Sequence, residues 1–388
     1  MKGSRITIKD IARIAGVSHS TVSRSLNDSP LISKDTKERI QRIAAAEGFE
    51  FNASAQSLST SRTGTVGIVY PELFDTFGNT LYLGLLVTGI RHALEEVSLD
   101  SLGIFPVNQY TGESNIKKLI TRRKVDGLLI IHPEIDPDDW EFILASGVPF
   151  VVLHFKPRSH DYSTMNCFFT DHVDGGYQAT KHLITLGCKN ILTLTEDSKE
   201  LQFKERTQGY RNALNEAGIE TMPNYIIGGN CSFEFGYETM MRNRHLISKL
   251  DGIFAQADIM ALGAIEALRV LGVDVPGDIK VVGYDDTELG KYFRPRLTTV
   301  HQPREEHAQL ACSRLIEMIG VYNQQSKVKR KENQEKKEGQ DEQYVDEPVQ
   351  EVLKPRLVVR ESCGSKVAGY TGKQERQENK VKQKKNAE

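Results

Sequence analysis

The stretch from Thr7 to Asn27, TIKDIARIAGVSHSTVSRSLN, constrains the fold of this chain more than any other. Thr7 is suited to cap a helix whose apolar residues recur at helical spacing. Gly16 ends that helix and opens the three-residue turn of a helix-turn-helix, after which Ser18 can cap a second helix. The apolar side of this second helix is expected to be buried, so its polar side chains face outward.

The outward side chains of the second helix have the chemistry of a DNA reader. Arg24 can form two hydrogen bonds with a guanine, and short hydroxyl side chains can reach phosphates and base edges. The candidates are Ser18, His19, Ser20, Thr21, Ser23, Arg24 and Asn27. Residues 1–62 also contain ten Lys and Arg against six Asp and Glu, in a chain of net charge -2. This local positive charge favours DNA binding over a helical hairpin that only contributes core.

Composition limits the class of protein. The chain has 388 residues, of which 39% are hydrophobic and 26% charged, as in globular proteins of two or three domains. It shows no leader-like or membrane-spanning apolar segment, which predicts a cytoplasmic protein without a membrane partner. Five scattered cysteines without CxxC spacing are expected to be reduced and mostly buried. We expect no metal site, no cofactor and no enzyme activity, because the sequence carries no motif for them.

The segment after the second helix leaves two interpretations open. Residues 33–48 predict a third helix, and Ile32, Ile40, Ile43 and Ala44 are expected to complete a small core. Between Phe51 and Gly64, Leu58 is the one large apolar residue, and a single such residue cannot hold a helix folded in water. The segment is either a disordered linker or a helix that folds on DNA, with Leu58 as a wedge in the minor groove.

From Thr65 onward, short apolar runs alternate with longer helical segments, a pattern typical of parallel sheets covered on both faces. Predicted strands are 66–70, 102–105, 127–131, 150–153, 191–195, 225–227, 252–255 and 279–283. Predicted helices are 81–96, 114–123, 138–145, 173–186, 204–217, 233–242 and 259–271. Two sets of about four units predict two α/β lobes with doubly wound sheets. A ligand cleft is expected between the lobes, beyond the carboxyl ends of the strands.

The last part of the chain is predicted to be irregular. We expect a crossing strand at 297–300, a helix at 304–319 and a late strand at 353–359. Between them, the charged insertion 323–348 has almost no apolar residues and is expected to be disordered, as is the basic tail 363–388.

Five blocks together resemble the lactose-repressor/galactose-repressor (LacI/GalR) family of bacterial transcription regulators. They are TIKDIARIAGVSHSTVSRSLN, ASAQSLS, DHVDGGYQATKHLITLG, ADIMALGAIEALRVLGVDVPGDIKVVGYDD, and PRLTTVHQPREEHAQLA followed by LKPRLVVRES. The resemblance implies a homodimer on double-stranded, pseudo-palindromic operator DNA, with its reader helices in successive major grooves. It implies a helix-turn-helix domain at 1–50, a hinge helix at 51–64, and a periplasmic-binding-protein-like, ligand-binding and dimerisation domain at 65–362.

The resemblance also implies roles for individual residues. It gives base reading to His19, Ser20 and Arg24, the opening of a base step to Leu58, and further DNA contacts to Thr7, Ser18, Thr21, Ser23, Asn27, Asn52 and Ala55. In the cleft it places Arg206 and Asp285 on the hydroxyl groups of a sugar or sugar phosphate. Further cleft candidates are Asn79, Tyr82, His154, Gln256 and Asp258. His154 and Ala257 depart from the residues common in the family, which points away from a typical hexose.

The resulting hypothesis is a repressor of a carbohydrate-utilisation operon, whose operator affinity changes when an effector moves the two lobes. Two alternatives remain open at this point. One is a protein that captures a sugar and has no regulatory DNA role. The other is a regulator of non-sugar metabolism in which the ligand acts as a co-repressor and strengthens operator binding.

Overall fold

The computed structural model describes residues 6–26, 29–49, 62–71, 77–197, 200–335 and 347–364, with residues 77–79 and 321–335 described as backbone alone. The chain forms two compact units that divide between Thr63 and Gly64.

The first unit contains three short helices, α1 (Ile8–Ala15), α2 (His19–Leu26) and α3 (Lys34–Ala46). Gly16 ends α1 in the left-handed conformation, with φ of 63°, which confirms the predicted turn. Six fully or nearly buried side chains form the core of this unit, namely Ile11, Ala12, Ala15, Val22, Ile40 and Ala44. Ile43 and Leu26 pack at its edge as expected, but Ile32 is half-buried outside this cluster, because it precedes α3 in the turn.

The second unit begins with five strands and three helices in alternation. They are β1 (Thr65–Val69), α4 (Phe77–Glu95), β2 (Asp100–Ile104), α5 (Asn115–Thr121), β3 (Gly127–Ile130), α6 (Pro137–Ser146), β4 (Phe150–Leu153) and β5 (Cys167–Thr170). A second series follows: α7 (His172–Thr185), β6 (Ile191–Glu196), α8 (Leu201–Glu216), β7 (Ile226–Gly229), α9 (Phe233–Arg242), α10 (Arg244–Ile247), β8 (Gly252–Ala255), α11 (Asp258–Val270), β9 (Lys280–Tyr284), α12 (Leu289–Tyr292) and β10 (Thr298–His301). Then come α13 (Arg304–Glu335), β11 (Gln350–Leu353) and β12 (Arg356–Val358).

These elements form two six-stranded sheets, one in each of two lobes. The order in lobe 1 is β11-β5-β4-β3-β1-β2, with all neighbours parallel. The order in lobe 2 is β12-β10-β9-β8-β6-β7, where only β12 runs antiparallel to its neighbour. The predicted α/β fold class with two lobes is confirmed, and the strands and helices predicted between residues 65 and 301 are present with ends shifted by a few residues.

The chain crosses between the lobes three times, after β5, after β10 and after β11. The third crossing is tied to the first, since the Asp171 backbone N–H donates to the Leu353 carbonyl oxygen at 2.9 Å. At the second crossing, α13 returns to lobe 1 and packs Ala308, Ala311, Cys312 and Leu315 into its core. These crossings place the candidate cleft between two sheets that can move relative to each other about short connections.

Three expectations for the chain need correction. Strand β5 was not predicted, because only four residues, all buried, separate two polar turns. The late strand at 353–359 is in fact two strands in different sheets, since Pro355 lacks the N–H that a continuous ladder needs. Helix α13 continues to Glu335 instead of ending at Ile319, so the backbone of 323–335 is helical and not disordered. Lys, Glu and Gln favour helix, and extending a packed helix needs no new nucleus.

The remaining parts of the predicted insertion and tail, apart from 347–348 and 363–364, lie outside the described residues. All five cysteines are buried and free of disulfide bonds, as predicted.

Candidate functional site

The polar face of α2 is exposed as the sequence predicts. Ser18, His19, Ser20 and Arg24 are exposed, and Thr21 and Ser23 are half-buried. Ser18 caps α2, because its Oγ accepts the Thr21 backbone N–H at 3.1 Å. The Ser18 hydroxyl also lies 2.8 Å from the hydroxyls of Ser20 and Thr21. A short helix therefore presents one arginine, one histidine and several linked hydroxyls to solvent.

Thr7 has a structural role at the start of α1. Its backbone N–H donates to Asp10 Oδ2 at 3.0 Å, and its hydroxyl donates to the same oxygen at 2.6 Å. These hydrogen bonds from Thr7 lower the pKa of Asp10. The hydroxyl proton of Thr7 is thus already used within α1, so a DNA contact at this position has to use its free lone pairs or the backbone. Asn27, Asn52, Ala55 and Leu58 lie outside the described residues, as does the side chain of Asn79.

Arg206 occupies the centre of the cleft because α7 and α8 approach each other closely. A Cβ at Gly176 would lie 2.1 Å from the Arg206 carbonyl oxygen, and one at Gly209 would lie 2.0 Å from the Val173 carbonyl oxygen. Only glycine allows this separation of the two helices. The two glycines therefore hold the first part of α8, and with it Arg206, against α7.

The guanidinium of Arg206 is almost completely buried, with 2% of the residue exposed. It lies over the ring of Tyr284, with Cζ 3.8 Å from the ring centroid. Its N–H groups donate to the Gln256 carbonyl oxygen and to His172 Nδ1 at 3.4 Å, and Nη2 lies 3.9 Å from Asp285 Oδ1. The guanidinium also lies over the ring of Phe203 at 4.8 Å, so this buried cation is held by one carboxylate, two aromatic faces and two neutral acceptors.

Asp285 follows β9 in a strained conformation, with φ of 117°. Gln302 Nε2 donates to its Oδ1 at 2.6 Å, and Arg304 Nη1 donates to its carbonyl oxygen at 2.9 Å. Burial raises the pKa of Asp285, and the Arg206 guanidinium opposes this change without cancelling it. Gln302 and the Asp258 backbone N–H donate to this carboxylate, and its remaining lone pairs can accept a hydrogen bond from a ligand.

The adjacent Asp286 has a different role. Burial alone would raise its pKa, but hydrogen bonds from His301 and Arg360 bring the pKa below its ordinary value. His301 Nδ1 lies 3.0 Å from Asp286 Oδ2, and Arg360 contacts Oδ1. Asp286 therefore links the second crossing to the segment that follows β12, while Asp285 faces the cleft.

Two sequence-predicted cleft residues, Gln256 and Asp258, lie behind the cleft wall with their polar groups paired inside the protein, and their contact with a ligand stays a prediction. Both have no exposed surface. The amide of Gln256 bonds the hydroxyls of Thr195 at 2.9 Å and Thr207 at 2.8 Å. The carboxylate of Asp258 accepts hydrogen bonds from the Thr287 backbone N–H at 2.7 Å and from the Thr287 and Thr299 hydroxyls. Their polar groups are already paired, so they position Arg206 and the 285–287 turn.

Lobe 1 contributes Tyr82 and His154. The His154 backbone has φ of 72°, and its ring lies 4.8 Å from that of Tyr82 and 4.4 Å from that of Phe155. Burial lowers the pKa of His154, with smaller contributions from His307 and Arg206, so this imidazole is neutral. Because the ring of His154 is neutral, it does not compete with Asp285 for the hydrogen-bond donors of a ligand, as a carboxylate at this position would.

These residues line a cavity between the lobes, which we call the Arg206 compartment. It is lined by Tyr82, Leu83, His154, Phe155, Gln202, Phe203, Arg206, Cys231, Ala257, Asp285 and Gln302. Of the predicted cleft residues, the structure brings together Tyr82, His154, Arg206 and Asp285. Gln302 and Cys231 were missed, since nothing in the linear sequence distinguishes them from core residues.

The described part of the chain contains no group of three or more His, Cys, Asp or Glu residues that could hold a metal ion. In the same residues, no helix combines the length and the apolar character that a membrane crossing requires.

Comparison with known proteins matches both parts of the chain. Residues 7–52 match the lacI family of bacterial regulatory proteins, and residues 180–363 match a periplasmic binding protein-like domain. The HTH-type transcriptional repressor PurR of Mannheimia succiniciproducens is 32% identical over 81% of this chain and 92% of its own length. The probable HTH-type transcriptional repressor ExuR of Bacillus subtilis is 30% identical over 81% of this chain and 92% of its own length.

Two solved structures have the same fold. A complex of the transcriptional regulator CelR with cellobiose is 29% identical, with a TM-score of 0.61, and the match covers 92% of this chain and all of CelR. The Lac repressor dimer bound to operator and the anti-inducer ONPF is 24% identical, with a TM-score of 0.71, over 93% of this chain and all of the repressor chain. The similarity thus extends over both the helical unit and the two lobes.

Proposed function

Because the chain belongs to the lacI family of bacterial regulatory proteins, we propose that it represses transcription from a carbohydrate-utilisation operon. In this proposal a small sugar-like effector binds between the two lobes and changes the affinity for operator DNA. The observation that carries the proposal is that one chain combines two features. The polar side chains of α2 are exposed, and a buried cleft holds Arg206 beside Asp285, whose carboxylate can accept hydrogen bonds from a ligand.

The DNA partner is a pseudo-palindromic operator bound by a homodimer. His19, Ser20 and Arg24 contact base edges, while the hydroxyls of Ser18, Thr21 and Ser23 contact phosphates or bases. Their exposure on α2 supports these roles. Asn27, Asn52, Ala55 and Leu58 extend the contact along the DNA, and Thr7 contributes through α1. The protein acts in the cytoplasm, where bacterial operator DNA is found.

The effector binds in the cleft through Arg206 and Asp285. The arginine donates to ring or hydroxyl oxygens, and Asp285 accepts from hydroxyl groups. Tyr82 and His154 supply an aromatic wall from lobe 1, which can cover the apolar face of a sugar ring. Asn79 is a further candidate near the start of α4. The cellobiose found in the CelR complex is consistent with a sugar in this position.

Coupling between the effector and DNA follows from the three crossings. A ligand that contacts both lobes stabilises one separation of the lobes over another, and lobe 1 is the lobe that joins the first unit at Gly64. A tenfold preference of the effector for one arrangement gives about 1.4 kcal/mol of coupling.

The test begins with a random DNA library selected on the full chain, followed by fluorescence anisotropy on the recovered operator. We expect specific binding that Arg24→Ala weakens by about 1 to 3 kcal/mol and that the control Arg13→Ala, which removes an exposed arginine from α1, retains. A sugar found by thermal shift should change the affinity for this operator. Sugar binding without any specific DNA binding at low salt would contradict the proposal and favour ligand capture.

A further inference from the structure

Lobe 2 has a groove on its surface, at the amino ends of β8 and β9, which we call the α10 groove. Asp285 and the cleft lie at the other end of β9. The groove has a volume of about 560 Å³, within the usual range of about 300–1,000 Å³ for ligand pockets. Its apolar lining consists of Ile247, Leu250, Leu271, Val273 and Ile279, of which the first, third and fourth are half-buried and the others buried. Such a lining favours an occupant with apolar side chains.

Gly364, the last described residue, lies beside this groove. A Cβ at Gly364 would lie 3.9 Å from Pro276 Cγ, and Pro276 belongs to the loop 273–279, three of whose residues line the groove. The loop is closed on itself, because the backbone N–H groups of Asp278 and Ile279 both donate to the Asp274 carbonyl oxygen, at 2.9 and 3.2 Å. Consecutive Cα atoms are about 3.8 Å apart, so every residue of the loop lies within about 11 Å of Pro276.

The segment before Gly364 is firmly attached to lobe 2. Ser362 and Cys363 have no exposed surface. The Ser362 hydroxyl donates to the Val281 carbonyl oxygen at 2.6 Å and accepts the Thr298 backbone N–H at 2.8 Å, which ties it to β9 and β10. Gly364 itself is exposed, with φ of 87°, a conformation that favours glycine. The residues that follow therefore leave lobe 2 from a fixed point at its surface.

The sequence after Gly364 has its apolar residues next to this fixed point. It reads SKVAGYTGKQERQENKVKQKKNAE, and Val367, Ala368 and Tyr370 all lie within six residues of Gly364. After Tyr370, Val381 is the one large apolar residue. Six extended residues span up to about 20 Å, which exceeds the reach needed along the loop 273–279. The side chains with most to gain from burial are thus the ones that can reach the groove.

The charges at the groove also match the first residues after Gly364. Asp274 and Asp278 are exposed on the loop, two residues to either side of Pro276, and Lys366 follows Gly364 by two residues. Across the groove, the exposed Arg244 of α10 can lie over the ring of a tyrosine. Exposed ion pairs contribute little free energy, so the charges orient the segment while the apolar contacts hold it.

We propose that residues 365–371 of this chain dock in the α10 groove of the same chain, with Val367 and Tyr370 on its apolar lining and Lys366 beside Asp278. The docked segment covers the apolar lining of the groove. It also fixes the point from which residues 373–388, with six Lys and Arg against three Glu, leave lobe 2. This inference does not depend on the operator or on the effector of the proposed function.

Limited digestion of the full chain with trypsin tests the docking, because Lys366 lies within the docked segment and Lys373 lies beyond it. Mass spectrometry of the released peptides gives the rate of cleavage after each lysine. We expect cleavage after Lys366 to be about tenfold or more slower than after Lys373, since trypsin needs the undocked segment. Equal rates at the two lysines would overturn the proposal.

Two variants separate docking from mere nearness to the folded chain. Tyr370→Ser removes the larger apolar side chain of the segment, and Ser248→Trp fills the groove from an exposed position on its rim. Both should bring the two cleavage rates to within about twofold of each other, whereas the control Val381→Ser should leave their ratio unchanged. Slow cleavage after Lys366 that persists in either variant would overturn the proposal.

Cross-linking identifies which chain supplies the segment. The full chain with Ser248→Cys and Thr371→Cys is treated with a short bismaleimide, to which the five buried native cysteines offer no exposed thiol. We expect a link within one chain, seen as a monomer on a denaturing gel. It should form about tenfold faster than in the control with Ser248→Cys and Asn386→Cys, whose second thiol is not held at the groove. A covalent dimer would assign the groove to the segment of a second copy, and either this result or equal rates in the two proteins would overturn the proposal.

Discussion

The two units of this chain use polar side chains in opposite ways. In the first unit, Ser18, His19, Ser20 and Arg24 are exposed on an eight-residue helix. In the second unit, Arg206 and Asp285 are buried and held by neighbours that are themselves buried. Exposed groups can change with little effect on folding, whereas a change in a buried network affects stability and binding together. We therefore expect substitutions on α2 to change DNA binding without changing stability, and substitutions in the cleft to change both ligand binding and stability.

The largest effect is expected from Arg206→Met. This substitution removes a buried cation and leaves Asp285 without its charged neighbour, which should lower the free energy of unfolding by about 3 to 5 kcal/mol. Urea unfolding followed by circular dichroism measures the change. Arg24→Met, the same substitution at an exposed site, should alter the stability by less than about 0.5 kcal/mol. A similar decrease in the free energy of unfolding in the two variants would contradict this difference between the units.

Arg24→Ala is expected to weaken operator binding by about 1 to 3 kcal/mol and to relax specificity at one base pair. The physical reason is the loss of paired hydrogen bonds to a base edge, with no change in the core of the first unit. Anisotropy on the selected operator and on single-base variants measures both effects. An equal loss on every sequence would assign Arg24 to a phosphate instead.

Asp285→Asn tests whether the charged carboxylate of Asp285 lowers the free energy of unfolding. Because burial raises the pKa of Asp285 to about 6 from an ordinary value of 3.8, the folded protein binds an extra proton between these values. Relative to the asparagine variant, the wild type should therefore lose about 1 to 3 kcal/mol of stability as pH rises from about 4 to 6. Unfolding in urea at pH 4, 5, 6 and 7 measures the difference between the two proteins. The pH dependence that both proteins share belongs to other groups, among them Asp258 and Glu200, whose pKa burial raises, and His154, whose pKa burial lowers. A variant that parallels the wild type at every pH would contradict this assignment.

The smallest effect is expected from Thr7→Val. Loss of the Thr7 hydroxyl bond to Asp10 should destabilise α1 by about 0.5 to 1 kcal/mol. Hydrogen exchange of the α1 amides in the full chain measures the local change. Operator binding should weaken by no more than this amount, and a larger loss would show that Thr7 also contacts DNA directly.

The fold was largely predictable because each element has a hydrophobic pattern of its own. Buried runs such as Gly127–Ile130 predict central strands, and Gly16 marks the helix-turn-helix turn. The hydrophobic pattern does not show which sheet a strand joins. The segment around Pro355 forms two strands because β11 pairs in one sheet and β12 in the other, and β5 forms between β11 and β4.

The cleft was predictable only in part. Arg206 and Asp285 follow from the resemblance to the family, and the structure brings them together. The burial of Gln256 and Asp258 could not be predicted, because adjacency in sequence does not tell which side of a cavity wall a side chain occupies. Gln302 was missed as a cleft residue, because only the folded chain shows that its Nε2 donates to Asp285 Oδ1.

In the proposed mechanism, binding in the cleft controls operator affinity through Asp285. A titration of the full chain, bound to fluorescent operator, with the sugar found by thermal shift tests this in wild type and Asp285→Asn. We expect the wild type to change its operator affinity at least tenfold at saturating sugar, while the variant binds the operator normally and does not respond. Equal responses in the two proteins, or sugar binding to the wild type with no change in operator affinity, would contradict it.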